Sequence, residues 1–171
     1  MLSAMKNQPK FKPEPTALDV RLEWAGYLLL LISWIFAIWV YAESPEQIAT
    51  HFNAKGQPDG FGNKITVLLL PLFSTFTFAG MTLINQYPQT FNYPTKITPE
   101  NMEPHYRAAM RLIRWLKISI VLVFLLIAFT MYLSSSQNEA AGMLAWIMPV
   151  ILIITFLPLI IYFLNLPKKS K

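Results

Sequence analysis

His51, Asn53, Asp59 and Lys64 place an imidazole, an amide, a carboxylate and an ammonium group within fourteen residues of chain. Gly56, Pro58, Gly60 and Gly62 recur inside the same stretch, so the segment is expected to be ordered rather than slack. Pro58-Asp59-Gly60 has the chemistry of a turn: proline presets φ, aspartate caps locally and glycine accepts the geometry. If the four polar side chains converge, they offer donors and acceptors to a ligand. A metal site is not expected. His51 with Asp59 supplies two ligands where zinc takes three or four protein groups, and the expected topology puts the other histidine, His105, on the opposite side of the membrane. Cysteine is absent, so thiolate ligands, thiol nucleophiles and disulfides are excluded. Ser44 and Thr50 are the hydroxyls near His51, and neither belongs to a recognisable nucleophile motif. The expectation is a binding element with no cofactor and no catalytic residues.

A second group is basic. Arg107, Arg111 and Arg114 share one helical face and Lys117 follows them, while Tyr106, Met110, Ile113 and Leu116 share another. This amphipathic pattern points to contact with anionic lipid or with an acidic partner. Thr98 followed by Pro99 reads as a helix start, and Pro104 would then kink or restart that helix. The net charge of +5 does not imply nucleic acid, because no folded reading module accompanies it.

The elements that must position these groups are four apolar runs, Trp24–Ala42, Ile65–Ile84, Trp115–Leu133 and Met143–Leu164. They contain no charge except Lys117 at the edge of the third, and a helix needs about 20 such residues to cross the hydrocarbon core. Lipid offers no partners to backbone groups, so the runs must be helices. Charged residues make up 13% of the chain against the roughly 25% of a soluble domain. The fold class expected is therefore an all-α membrane protein with four transmembrane helices. Twelve lysines and arginines fall in the N-terminal tail, the second connection and the C-terminal tail, and two, Lys55 and Lys64, fall in the first loop. The positive-inside bias puts both termini in the cytoplasm and the loop 43–64 outside.

The domain plan is a cytoplasmic tail over 1–23, a four-helix domain over 24–164 and a basic tail over 165–171. The N-terminal segment, interrupted by Pro13 and Pro15, reads as a flexible tail rather than a cleaved signal. Trp24, Tyr27, Trp39 and Tyr41, with Trp115 and Tyr132, bracket their helices as interfacial anchors do. Pro71, Pro149 and Pro158 are expected to kink helices. Thr75, Ala79 and Thr82 lie on one face of the second helix, which suits close packing.

In its two connections the chain resembles the DUF1648 family of small bacterial membrane proteins. The residues that carry the resemblance are Ile48, His51, Phe52, Asn53, Gly56, Pro58, Asp59, Gly62, Lys64 and Pro71, with Ala49 where that family often has proline. Asn92-Tyr93-Pro94, Ile97-Thr98, Asn101 and Tyr106 are similar to its second recurrent stretch, where Pro104 is unusual. The resemblance covers roughly 24–120. That domain also occurs in an immunity protein against a sporulation-delaying peptide toxin. The resemblance therefore implies toxin immunity or signalling through a peptide, lipid or protein partner at the outside loop, in a bacterial cytoplasmic membrane. The further C-terminal motif of that immunity protein is not found in helices 3 and 4. A transporter accessory subunit or small permease is the alternative.

Overall fold

The computed structural model describes residues 8–53, 56–135 and 141–167, with side chains of the last segment from Trp146 onward. Lys6, Lys55, Lys168, Lys169 and Lys171, and the centre of the third loop, fall outside them. The described chain is mostly helical. α1 spans Ala17–Glu43, a two-stranded ribbon follows as β1 (Gln47–Phe52) and β2 (Pro58–Asn63), and then come α2 (Thr66–Ile84), α3 (Met102–Ser135) and α4 (Ala141–Leu164). All four helices are long and apolar enough to cross a membrane. The ribbon is the addition to the expected all-helical plan. Each helix reverses the direction of the one before, so the ribbon lies at one end of the bundle and both described termini at the other.

α1 begins seven residues before its apolar run. Thr16 and Asp19 form a capping box: the Thr16 amide donates to Asp19 Oδ2 at 2.9 Å, and the Asp19 amide donates to Thr16 Oγ1 at 3.4 Å. The helix stops at Glu43 because Ser44 precedes Pro45 and takes an extended conformation (φ −84°, ψ 151°). α2 runs through Pro71. Its hydroxyls turn back onto its own carbonyls, Ser74 to Leu70, Thr75 to Pro71, Thr77 to Phe73 and Thr82 to Phe78, all at 2.7–2.9 Å. Thr75 also accepts the Trp34 indole N–H at 3.0 Å, a polar tie between α1 and α2 within the apolar layer.

α3 starts at Met102 rather than at Pro99. Asn101 Oδ1 accepts the Thr98 amide at 2.8 Å, and the Thr98 carbonyl accepts the amides of Asn101 and Met102. This turn moves the helix start by three residues. Pro104 then sits in the first turn, where its missing N–H has no intrahelical partner to lose, and the helix continues without a restart. Thirty-four residues make a rod of about 51 Å, well beyond a hydrocarbon core of about 30 Å. Its amphipathic first third therefore extends past the apolar layer.

The described part of the N-terminal segment, from Gln8, is held against the bundle, where a flexible tail is the expectation. Gln8 donates to the Phe91 carbonyl at 3.2 Å, Tyr106 to that of Pro9 at 3.0 Å, and Arg107 to that of Glu14 at 2.9 Å. Tyr93 stacks on Tyr106 beneath this strap, and burial raises its phenol above the ordinary pKa. At the ribbon end the core is Ala37 and Val40 of α1, Ile48 of β1, Val67 of α2, and Ala128 and Met131 of α3. α4 leans on α3 and leaves Trp146, Ile153, Phe163 and Leu164 exposed.

Candidate functional site

The ribbon is held at both ends. At its base, Lys64 Nζ pairs with Glu46 at 3.2 Å, donates to the Ser44 carbonyl at 3.4 Å and lies 5.1 Å from the centre of the Tyr41 ring. At its tip, the Asn53 amide donates to the Gln57 carbonyl and the Gly56 amide to that of Asn53, both at 2.9 Å. Asn53 Oδ1 also accepts the Gln57 amide at 3.0 Å. The chain thus reverses over Asn53–Gln57. The sequence expectation of a turn at Pro58-Asp59-Gly60 is corrected: those residues open β2. Gly56 has φ 74°, left-handed backbone open to glycine at no steric cost, and this outweighs the turn chemistry two residues later. Gly56→Val is expected to cost about 1–3 kcal/mol through backbone strain. Loss of amide protection across 47–63 in hydrogen exchange would register it, and unchanged protection would contradict it.

The strand register is irregular at the chemically interesting point. Ala49 pairs with Phe61, His51 with Gly60 and Phe52 with Pro58, which leaves Thr50 and Asp59 without partners. Such bulges re-aim side chains. Here they bring His51 Nδ1 into a hydrogen bond with Asp59 Oδ1. Gly60 is needed opposite His51, since a Cβ there would stand 2.9 Å from the His51 Cβ. With Nδ1 committed to the carboxylate, Nε2 is the ring atom left to meet a ligand. The His51 side chain is 74% exposed.

Beside His51 opens a cleft of about 420 Å³ between the ribbon, α3 and α4. Thr50, His51 and Asn53 form its polar rim, and Ile127, Ile147 and Ile151 belong to its apolar floor. The four expected binding residues therefore do not converge. His51 and Asp59 meet, Asn53 shapes the tip beside them, and Lys64 stands five strand positions from Asp59, about 16 Å along the ribbon. His105 lies at the opposite end of the bundle, buried, so the two histidines cannot share an ion. Among the described residues no three His, Asp or Glu side chains gather as a metal site would require.

The basic group finds partners inside the molecule. Arg111 Nε donates to Asp19 Oδ1 at 2.9 Å, and Arg114 stands 3.6 Å from Asp19 and 3.4 Å from Glu23. Lys117 is 2% exposed, pairs with Glu23, donates to Thr82 Oγ1 at 2.9 Å and lies over the Phe78 ring at 4.3 Å. Arg107 pairs with Glu103 at 2.8 Å. Arg111, Arg114 and Lys117 thus tie α3 to α1 and α2. Asp19 and Glu23 escaped the sequence reading, although their spacing of four residues was a legible signal that they share a face.

Four membrane-length apolar helices bearing a structured ribbon at one end define a multi-pass membrane protein. Residues 28–75 match the family described as "Domain of unknown function (DUF1648)", a stretch that runs from within α1, through the ribbon, to the middle of α2. A protein of Archaeoglobus fulgidus, described as an uncharacterized protein, is 37% identical over 75 residues, which are 39% of this chain and 41% of that relative. The match thus spans about two fifths of the relative's length. No solved structure matches the chain.

Proposed function

We propose that the protein is a non-enzymatic binding protein of the bacterial cytoplasmic membrane that takes an amphipathic peptide at the cleft beneath the ribbon. The observation that carries this reading is the pairing of surfaces there: a rim with the Asp59-oriented His51 imidazole above a floor of isoleucines. Apolar side chains of the peptide would leave water for the floor, and its polar groups would meet Nε2 and the Thr50 hydroxyl. The basic residues concentrated at the termini-bearing end support a cytoplasmic location for both termini and an outside location for the ribbon. Toxin immunity, or reporting of a bound peptide to the cytoplasm, are roles such a site suits. A permease reading has less support, because the α2 hydroxyls are turned onto their own backbone instead of lining a path.

The chain has no cysteine, so Met148→Cys on the cleft wall can carry a single environment-sensitive fluorophore. A panel of amphipathic peptides added to the labelled protein in nanodiscs is expected to include one giving a saturable change. His51→Ala should weaken that binding about tenfold, the loss of one well-made hydrogen bond. Glu46→Gln, at the ribbon base, should leave it unchanged. Absence of any saturable change, or an unaltered affinity in His51→Ala, would defeat the proposal.

A further inference from the structure

A second cleft, of about 260 Å³, opens between α3 and α4 at the termini-bearing end, away from the ribbon. Arg111, Leu112 and Trp115 of α3 face Ile161 and Tyr162 of α4, and Asn165 just beyond it, across the cleft. We infer that this cleft holds the phosphate headgroup of an anionic phospholipid, with Arg111 as its charged contact. The inference is independent of the peptide site.

Three observations support it. Arg111 commits Nε and Nη2 to Asp19 and Thr16, and among the described residues its Nη1 has no hydrogen-bond partner, while the residue lines the cleft. Its guanidinium is therefore held rigid with one face of donors to spare, which suits a phosphate oxygen. The network behind it is unbalanced: among the described residues Arg111, Arg114 and Lys117 share only Asp19 and Glu23, leaving one positive charge over. A surplus cation beside an apolar layer favours an anion and discriminates against a headgroup that brings its own cation. The chemistry of the walls also fits a lipid rather than a free ion. Trp115 and Tyr162 are residues that settle at headgroup depth, and Leu112 and Ile161 continue into the exposed apolar surface of α4, along which acyl chains can lie.

The test is native mass spectrometry of the full chain in detergent, titrated separately with dioleoyl phosphatidylglycerol and dioleoyl phosphatidylcholine. The first phosphatidylglycerol should bind about fivefold tighter than phosphatidylcholine, the preference expected of one uncompensated basic group at an interface. Arg111→Gln should remove the preference. Because Arg111 also holds Asp19, that variant can fail to fold. Ala108→Phe, which fills the same cleft and leaves the Asp19 contacts in place, should then remove the preference in a folded protein. Equal binding of the two lipids by the unmodified chain overturns the inference, as does a preference that survives Ala108→Phe. Displacement of phosphatidylglycerol by inorganic phosphate as readily as by a second anionic lipid would also overturn it, since the occupant would then be the free ion.

Discussion

Glu23→Ala is expected to destabilise the protein by about 3–5 kcal/mol, because it leaves the buried Lys117 ammonium without its carboxylate. Lys117 is 2% exposed, and its remaining contacts are the Thr82 hydroxyl and the face of the Phe78 ring. Neither supplies a full negative charge. Arg114, 3.4 Å from Glu23, loses a partner at the same time. The double variant Glu23→Leu/Lys117→Met is expected to recover most of the loss, since an apolar pair of similar size carries no desolvation cost. Thermal unfolding of both variants and the unmodified chain in one detergent distinguishes the outcomes. A single variant as stable as the unmodified chain would show that water or lipid reaches Lys117 and that the clamp between α1 and α3 does not depend on it.

The ion-pair clamp also shows where sequence reasoning stops. The spans were legible because lipid imposes a demand that a linear pattern can reveal: about 20 residues without charge. Thr16-Ala17-Leu18-Asp19 is equally local, a capping box, but the segment's prolines give it the look of a tail and the apolar run starts only at Trp24. What no single segment reveals is that Asp19 and Glu23 meet Arg111, Arg114 and Lys117, some ninety residues later. A basic stripe reads the same whether its partner is a phosphate or a carboxylate on the next helix. The ribbon was half legible. Its order and the proximity of His51 to Asp59 follow from the glycines, the proline and the eight-residue spacing. Its reversal point was contested between two competent turn sequences, and the left-handed Gly56 won. The cleft was not legible at all, because its floor comes from Ile127 and Ile147, 64 and 84 residues beyond Asn63 at the end of the ribbon.

Ile48 is the ribbon's fully buried member of the ribbon-end core, with Phe52 packed against the same core. Ile48 is 1% exposed and packs among Ala37, Val40, Val67, Ala128 and Met131, so one residue of β1 touches the packing of three helices. Ile48→Ala is expected to cost about 2–5 kcal/mol, and Ile48→Val about 0.5–1.5 kcal/mol, in proportion to the cavity each leaves. Ile48→Asp should be worse than either, since the carboxylate finds no partner among those five residues. The cost falls on a local unit, because the ribbon joins the bundle through β1 and can lift away while the helices stay in lipid. The expected signature is therefore loss of amide protection confined to 47–63, with the helical amides unchanged. The fluorophore at Met148→Cys should at the same time report a solvent-opened cleft. Should Ile48→Ala instead expose α1 and α3 together, the ribbon is a structural part of the bundle, and the His51–Asp59 pair could not act as a separately mobile rim.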